Sequence, residues 1–345
     1  MKSPNAAVVI LNYNGHYYLE KFLPAIVAHS LPYPVIVADN ASTDQSVAFM
    51  KAQHPEIRLI QNTENFGYAE GYNAALSQID AEYYILLNSD VEVTDNWIAP
   101  VLNLMESNHQ IAACQPKILD YHQRHYFEYA GAAGGFIDKY GYPFCRGRIF
   151  NHLEEDLQQY NDPREVFWAT GACLFVRSAA FQKVGGFDGD YFAHMEEIDL
   201  CWRLKNIGYK IMVEPRSIIY HIGGGTLNKL SRRKTYLNFR NNLITLTKNH
   251  PSSDLVFKIF YRLILDGVAG LKFLSDGEPK HCLAVLHAHF SYYKRLAKTL
   301  QKRRAFSKTE GFAYNLGTMY EGNIVLEHFI GKKKKFTELT KKFRS

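Results

Sequence analysis

Short apolar runs that stop abruptly at polar residues recur through the first ninety positions. They are Ala6 to Leu11, Val35 to Ala38, Ile57 to Ile60 and Tyr83 to Leu87. Runs of this length without alternation read as strands buried on both faces, as in a parallel sheet. Between them lie helical patterns, one through Leu19, Phe22, Leu23 and Ile26, another through Ala74, Ala75 and Leu76. Strands alternating with helices predict βαβ units and an α/β fold with a mostly parallel, Rossmann-like sheet flanked by helices.

From about Ile111 the order changes. Ile111 to Ile118 reads as a strand, and residues 120–165, rich in Tyr, Gly and charge, as an insertion or mobile loop. Phe167 to Arg177 reads as a strand that begins with a tight turn, in which Gly171 lets backbone approach a ligand or simply sits at a bulge. Lys210 to Val213 and Ser217 to Tyr220 are two further short strands. Beyond Pro251, apolar residues at Leu255, Ile259, Leu263, Ile264, Val268 and Leu271 face away from Lys258, Arg262 and Asp266, predicting an amphipathic helix. A second helical stretch runs from Cys282 to about Leu300.

Composition fits a folded protein: 47% of the 345 residues are hydrophobic and 14% aromatic. The five cysteines are scattered, odd in number and without a C-x-x-C pair, which excludes a disulfide framework or zinc site and suits a reducing compartment. The N-terminal pattern is too short for a signal peptide, and no stretch of 18 uncharged apolar residues predicts a membrane span. The net charge of +6 hides an asymmetry. Residues 1–225 hold 16 Lys and Arg against 26 Asp and Glu, whereas residues 226–345 hold 24 against 8. This suggests two regions with different partners, and the chain is read as residues 1–245 followed by a basic, mainly helical extension over residues 246–345. The extension is expected to pack on the first region or to meet an anionic membrane. No nucleic-acid module is visible, and few aromatics interleave the tail lysines.

The polar residues that end the strands carry the chemistry. Asn88, Ser89 and Asp90 follow the fourth run, at the edge where open α/β sheets bind ligands. A carboxylate there can hold a hard divalent cation, and the cation a diphosphate; the triplet also reads as a plain Asx turn. Asp39 ends the second run, where a carboxylate can accept from a ribose hydroxyl or a base N–H. Neither G-x-G-x-x-G nor a P-loop is present, which disfavours NAD and the P-loop NTPases. Glu196, Glu197 and Asp199 begin a helix; they complement its dipole, or one of them serves a cleft as general base. Asp199 and Arg203 also stand at i,i+4 spacing, as in a surface pair. His221, followed by Ile222 and three glycines, is a candidate metal ligand or a plain packed histidine.

Together these segments resemble family 2 glycosyltransferases of GT-A fold, in the rhamnosyltransferase-like branch. The resemblance spans roughly residues 6–245 and rests on seven motifs in order: VVILNYNG, VIVADNASTD, NFGYAEGYN, LLNSDV in the place of the metal-binding D-x-D, ATGACLFVR, EEIDLCWRLKNIGYK and YHIGGGT. It implies that Asp39 pairs with the uracil or thymine base of a UDP- or dTDP-sugar. Asn12, Asn14, Asn40, Asn65, Gly67, Asn73, Asn88 and Ser89 would line the nucleotide-sugar. Asp90 and His221 would bind Mg²⁺ or Mn²⁺, and Arg232 and Arg233 would clamp the diphosphate. Trp168, Gly171, Ala172 and Glu196 would lie on the acceptor side.

The resemblance implies Glu197 as general base of an inverting single displacement onto a polysaccharide or lipid-linked saccharide, in the cytoplasm or peripherally at the inner face of its membrane. Two positions depart from the family pattern. Asn88 stands where the fuller motif has Asp, and Glu197 where Asp is common, which leaves Asp199 as a rival base. The alternatives are a sugar nucleotidyltransferase, which should carry a Gly-rich basic loop where Asn12 to Gly15 stand, and a degenerate non-catalytic nucleotide- or glycan-binding module.

Overall fold

The first strand shows why its residues are apolar without a break. Along β1 (Ala6–Asn12), Ala7 and Val9 enter one core layer while Ala6, Val8 and Ile10 enter the other. Both faces are covered by helices, so alternation is lost. β4 (Tyr83–Asn88) divides in the same way, with Tyr84 and Leu86 on one side and Tyr83, Ile85 and Leu87 on the other. This computed structural model describes residues 6–223 and 231–344; Gly224, Gly225 and Thr226 of the late histidine motif lie outside them.

Strands β1, β2 (Val35–Asp39), β3 (Arg58–Gln61) and β4 pair in parallel. β5 (Val91–Val93) and β6 (Ile111–Asp120) follow β4 in the chain. Next comes a separate four-stranded antiparallel sheet of β7 (Gly135–Ile137), β8 (Pro143–Cys145), β9 (Arg148–Ile149) and β10 (His152–Leu153). β11 (Arg164–Val166), β12 (Cys173–Arg177) and β13 (Lys210–His221) complete the main sheet, in the order β11-β13-β6-β12-β4-β1-β2-β3. β12 is inserted antiparallel between β6 and β4, and β5 pairs antiparallel with the end of β13. The two short strands expected at 210–213 and 217–220 are halves of β13. Its register slips between Glu214 and Ile218, around Pro215, whose missing N–H forbids a continuous ladder.

Helices α1 (His16–Ser30), α2 (Ser46–Gln53), α3 (Gly67–Leu76), α4 (Ala99–Ser107), α5 (Ser178–Lys183) and α6 (Glu196–Asn206) cover the sheet. Phe22 of α1 and Leu102 of α4 enter one core layer; Tyr72 of α3 and Leu200 of α6 enter the other.

Residues 120–165 are not a mobile loop. Phe136, Phe144, Ile149 and Tyr160 are buried there, and Phe336 and Phe343 from the far end of the chain complete their cluster. Arg146, 1% exposed, bonds Asp162 and the Tyr160 carbonyl. Sequence proximity hid this core because its apolar partners lie almost two hundred residues away.

The C-terminal region contains α7 (Arg232–Asn249), α8 (Leu255–Ser275), α9 (Pro279–Phe306) and α10 (Ile324–Phe329). The division expected after residue 245 falls inside α7, and Leu243, Tyr292, Met319 and Ile324 join the core layer that holds Tyr72 and Leu200. The amphipathic pattern of α8 is inverted in its packing: Lys258, Arg262 and Asp266 are buried, while Phe260, Ile264 and Val268 face outward. Among the described residues no helix is long and apolar enough to cross a membrane.

Candidate active site

Strand register brings the polar strand ends together. Leu11 stands level with Asn88 and Asn12 with Asp39, so β1, β2 and β4 finish along one edge. A cleft of about 690 Å³ opens over that edge. Its lining includes Asn40, Asn65, Gly67, Asn88, Ser89 and Asp90, with Trp168, Gly171, Ala172, Glu196, Glu197, His221 and Arg233 beyond them. These thirteen expected residues, from seven separate segments, therefore share one cavity.

The first wall is a relay of asparagines. Asn40 donates to the Asn65 side chain and to the Gly67 carbonyl, and accepts from Asn62. Gly67 has φ +75°, and a Cβ there would meet the Phe192 carbonyl at 2.4 Å, so only glycine fits. The Tyr68 amide bonds that same carbonyl, and its hydroxyl donates to the Gly171 carbonyl at 2.7 Å. Burial holds the Tyr68 hydroxyl well above its ordinary pKa, so it stays a neutral donor.

Six expected residues do not line the cleft. Asp39, 1% exposed, accepts from Asn12 and from the Ser42 amide, and Asn14 accepts from the Thr43 amide. All three are spent on the loop between β2 and α2. Asn73 exchanges two bonds with Phe187 and pins the glycine turn before it. Arg232 points to solvent. Asp199 is fully buried between α6 and α7, where Arg203, Lys248, Asn249 and Tyr191 all donate to it. Burial opposes its charge, but Lys248 and Arg203 outweigh this and hold its pKa below the usual range.

Asp90 meets His221 because β5 leaves β4 and pairs with the last residues of β13. Asp90 Oδ1 lies 3.2 Å from His221 Nε2, and Asn88 Nδ2 is 3.5 Å from the same nitrogen. On the other side of the ring, His221 Nδ1 is 3.2 Å from Glu128 Oε2, an ion-pair distance without hydrogen-bond alignment. Burial opposes protonation of this imidazole, yet Asp90 and Glu128 outweigh it and hold its pKa well above the ordinary value.

The opposing feature is the start of α6. Phe192, His194 and Met195 all have positive φ (65°, 68° and 74°), an unusual density of left-handed non-glycine residues, and all three line the cleft. This backbone delivers Glu196 and Glu197 to the cavity with one carboxylate oxygen of each lacking a partner. Burial pushes Glu197 up to about 7, against the pull of backbone N–H groups at the helix start. Glu196 lies well above the usual range through burial and the neighbouring Glu197 charge. Burial and the Lys234 charge push His194 down to about 4. Arg233 lies over the Phe192 ring at 4.3 Å.

The sequence reading missed several lining residues: Tyr13, Tyr68, Glu128, Arg148, Lys234 and Arg262. Tyr13 and Tyr68 lie inside motifs already quoted. Glu128 and Arg148 sit in the segment read as an insertion or mobile loop, and Arg262 on the polar face of the amphipathic pattern.

A partly parallel α/β sheet with a nucleotide-sized cleft at its strand ends, holding an Asp–His pair and unpaired carboxylates, defines a group-transfer site of GT-A type. The chain belongs to glycosyl transferase family 2, whose model matches residues 7–185, and it is a glycosyltransferase of rhamnosyltransferase-like character. It is 30% identical over 230 residues to the N-acetylglucosaminyl-diphospho-decaprenol L-rhamnosyltransferase of Mycobacterium tuberculosis, covering 62% of this chain and 75% of that one. It is 23% identical to the rhamnosyltransferase WbbL of Escherichia coli, covering 60% and 80%. The fold is shared with GalNAc-T7 solved with UDP, GalNAc and Mn²⁺ (TM-score 0.58, 12% identity, 92% of this chain and 59% of that longer one). It is shared also with a mannosyltransferase from Pyrobaculum calidifontis in complex with GDP-Man and Mn²⁺ (TM-score 0.52, 14% identity, 85% and 88%).

Both of these solved neighbours hold Mn²⁺, and in this cleft Asp90 and His221 are the side chains whose chemistry would suit a divalent cation. Among the described residues no three or more His, Cys, Asp or Glu side chains are arranged as a metal cage. Asp90 and His221 offer one carboxylate and one imidazole, so a cation held there would need phosphate oxygens or water for its remaining ligands, as is usual for Mg²⁺-nucleotide sites.

Proposed function

We propose that the protein is an inverting, metal-dependent glycosyltransferase. It moves a sugar, with rhamnose the leading candidate, from a UDP- or dTDP-linked donor to a hydroxyl of a lipid-linked saccharide. The lipid-linked acceptor is supported by the name of the mycobacterial relative, which specifies a diphospho-decaprenol saccharide.

The observation that carries the reading is Glu197, a cleft carboxylate with an unpartnered oxygen and a pKa pushed up to about 7. A base poised there is half deprotonated at neutral pH and strong enough to take a hydroxyl proton. Glu197 removes the acceptor proton as the acceptor oxygen bonds to the anomeric carbon. The bond from that carbon to the diphosphate breaks, and its electron pair leaves with the nucleoside diphosphate. Asp199 is unsuited to this role, because its oxygens are already engaged by Arg203, Lys248 and Asn249.

Asp90 would hold the divalent cation, joined by His221 once its imidazole gives up the Nε2 proton, and the cation when bound supplies positive charge to the leaving diphosphate. Arg233 and Lys234, at the start of α7, line the cleft and add positive charge for the diphosphate. Asn40, Asn65, Asn88 and Ser89 line the nucleotide-sugar. Asp39, Asn12 and Asn14 act on it through the loop they hold. Trp168, Gly171, Ala172 and Glu196 face the acceptor.

Calorimetric titration of UDP and dTDP, with and without Mn²⁺ or Mg²⁺, tests the donor side. Metal-dependent binding of one nucleotide is expected and identifies the donor. A folded protein that binds neither would overturn the reading.

A further inference from the structure

α8 packs inside out. Its buried positions are Lys258, Arg262, Asp266 and Gly270, one every four residues. Arg262 is held by Asn242 and by the Tyr140 carbonyl and lies over the Tyr142 ring at 3.6 Å, while Asp266 meets His289 at 3.1 Å. Its outward stripe is Phe257, Phe260, Ile264, Val268, Leu271 and Leu274, each 48% exposed or more. α9 adds Leu283, Leu286, Phe290 and Tyr293 at helical spacing, again exposed. Together, α8 and α9 hold eleven of the nineteen exposed large hydrophobic side chains among the described residues. Scattered surface apolars need no explanation, but a concentration of this kind marks an interaction surface.

Two observations say what covers it. The first is charge. α10 caps onto α8 through Asn323, which donates to the Tyr261 hydroxyl, and α10 ends in exposed Phe329 and Ile330. Exposed Lys332, Lys334 and Lys335 follow at once, and Lys280 and Lys294 are exposed on α9, while Lys272 of α8 is paired with Asp276. Apolar side chains beside lysines suit an anionic lipid surface, into which the former sink while the latter meet headgroups. The second is continuity with the cleft. Phe273 of α8 lines the cleft, as does Phe150, whose ring contacts Phe329 at 5.0 Å. One helix thus turns Phe273 and Arg262 to the cleft and its apolar stripe outward.

We propose that the outer face of α8 and α9, continued by the end of α10, is a docking surface for an anionic lipid bilayer. It lies in the interface without spanning and sets the cleft mouth against the membrane, where a lipid-linked acceptor is presented. The purpose given to this surface rests on the lipid-linked acceptor reading, but the surface itself does not.

Flotation of the full chain with phosphatidylcholine vesicles, with and without phosphatidylglycerol, tests the proposal. The wild type is expected to float with phosphatidylglycerol vesicles and to release as salt rises. A Phe260→Ser, Ile264→Ser, Leu271→Ser triple variant should lose about tenfold or more in partitioning. A Lys334→Glu, Lys335→Glu variant should lose about tenfold and much of its salt dependence. All three changed apolar residues are exposed, so melting temperature and Mn²⁺-dependent nucleotide binding should be unchanged. Absence of flotation by the wild type would overturn the proposal. So would flotation insensitive to the apolar triple, or a sedimenting dimer that the triple dissociates while vesicles go unbound. Vesicle binding without nucleotide binding would sink the function reading and leave the docking surface. Nucleotide binding without vesicle binding would do the reverse.

Discussion

His221 Nε2 stands 3.2 Å from Asp90 Oδ1 although 131 residues separate them along the chain. The antiparallel pairing of Val91 with His221 makes the contact, and Glu128 approaches the other ring nitrogen. Carboxylates on the far nitrogen of a metal-binding imidazole fix its orientation and raise its basicity. Asp90→Ala is therefore expected to lower Mn²⁺-dependent nucleotide affinity by at least about tenfold, and Glu128→Gln by about 10–100-fold. Metal-free nucleotide binding should change little in either. Titration calorimetry with and without Mn²⁺ reads both, and an unchanged metal-dependent increment in Asp90→Ala would remove Asp90 from the metal site.

Glu197 and Asp199 separate by surroundings, the first lining the cleft and the second ion-paired at 0% exposure. Two residues apart on a helix are turned by about 200°, so one faces the cleft and the other the α7 interface. Glu197→Gln should lower transfer by about 10²–10⁴-fold, the usual contribution of a general base, with donor binding preserved. Asp199→Asn should lower stability first, because it weakens the pairing of buried Arg203 and Lys248. Single-turnover transfer together with thermal melts distinguishes the two. Near-normal turnover by Glu197→Gln would remove it as base.

With Glu197 as the proposed base, its elevated pKa gives the expected direction of the pH profile. A base works only when deprotonated, so kcat/KM should rise with pH and bend near 7. Below that pH the logarithm of the rate should fall with unit slope. Glu197→Asp should keep a limb at lower rate, since it shortens the arm without removing the carboxylate. A wild-type profile flat from pH 5 to 8 contradicts the assignment; the check is initial rates in overlapping buffers at constant ionic strength.

The strands that end in Asp39 and in Asn88 to Asp90 were legible because burial on both faces leaves an unbroken apolar run, and the chemistry sits where the run stops. Glu128 was not. Its approach to His221 depends on its amide bonding the Ile118 carbonyl at the end of β6 and on β6 pairing with β13, and no local pattern encodes a pairing between such distant segments. Asp199 illustrates a different limit: its spacing to Arg203 was read correctly as a pair, yet spacing cannot tell a surface pair from a buried one. The 3.6-residue period of α8 disclosed a polar and an apolar face. It did not say which face packs, and here Tyr142, Asn242 and His289 supplied partners that made burial of the polar face tolerable. The core of residues 120–165 stayed hidden for want of Phe336 and Phe343 beside it.

Lys248 joins two carboxylates, with Nζ 2.6 Å from Asp188 Oδ2 and 2.9 Å from Asp199 Oδ1. All three are nearly inaccessible, so removing the ammonium strands two buried anions, with Arg203 and Lys302 as their remaining cationic partners. Lys248→Met should destabilise the protein by about 3–5 kcal/mol at pH 7, the usual effect of breaking a buried pair. Burial alone would raise both aspartates, but Lys248, together with Lys302 beside Asp188 and Arg203 beside Asp199, outweighs it and both pKa values are depressed. Groups of that kind contribute stability above their unfolded value of about 3.9 and lose it as pH falls through the folded values. The gap between wild type and variant should therefore be full at pH 7 and narrow below about pH 4. Urea denaturation at both pH values measures it. Equal stability at pH 7 would show that Arg203 and Lys302 suffice, and a gap that widens on acidification would contradict the sign derived from the depressed aspartates.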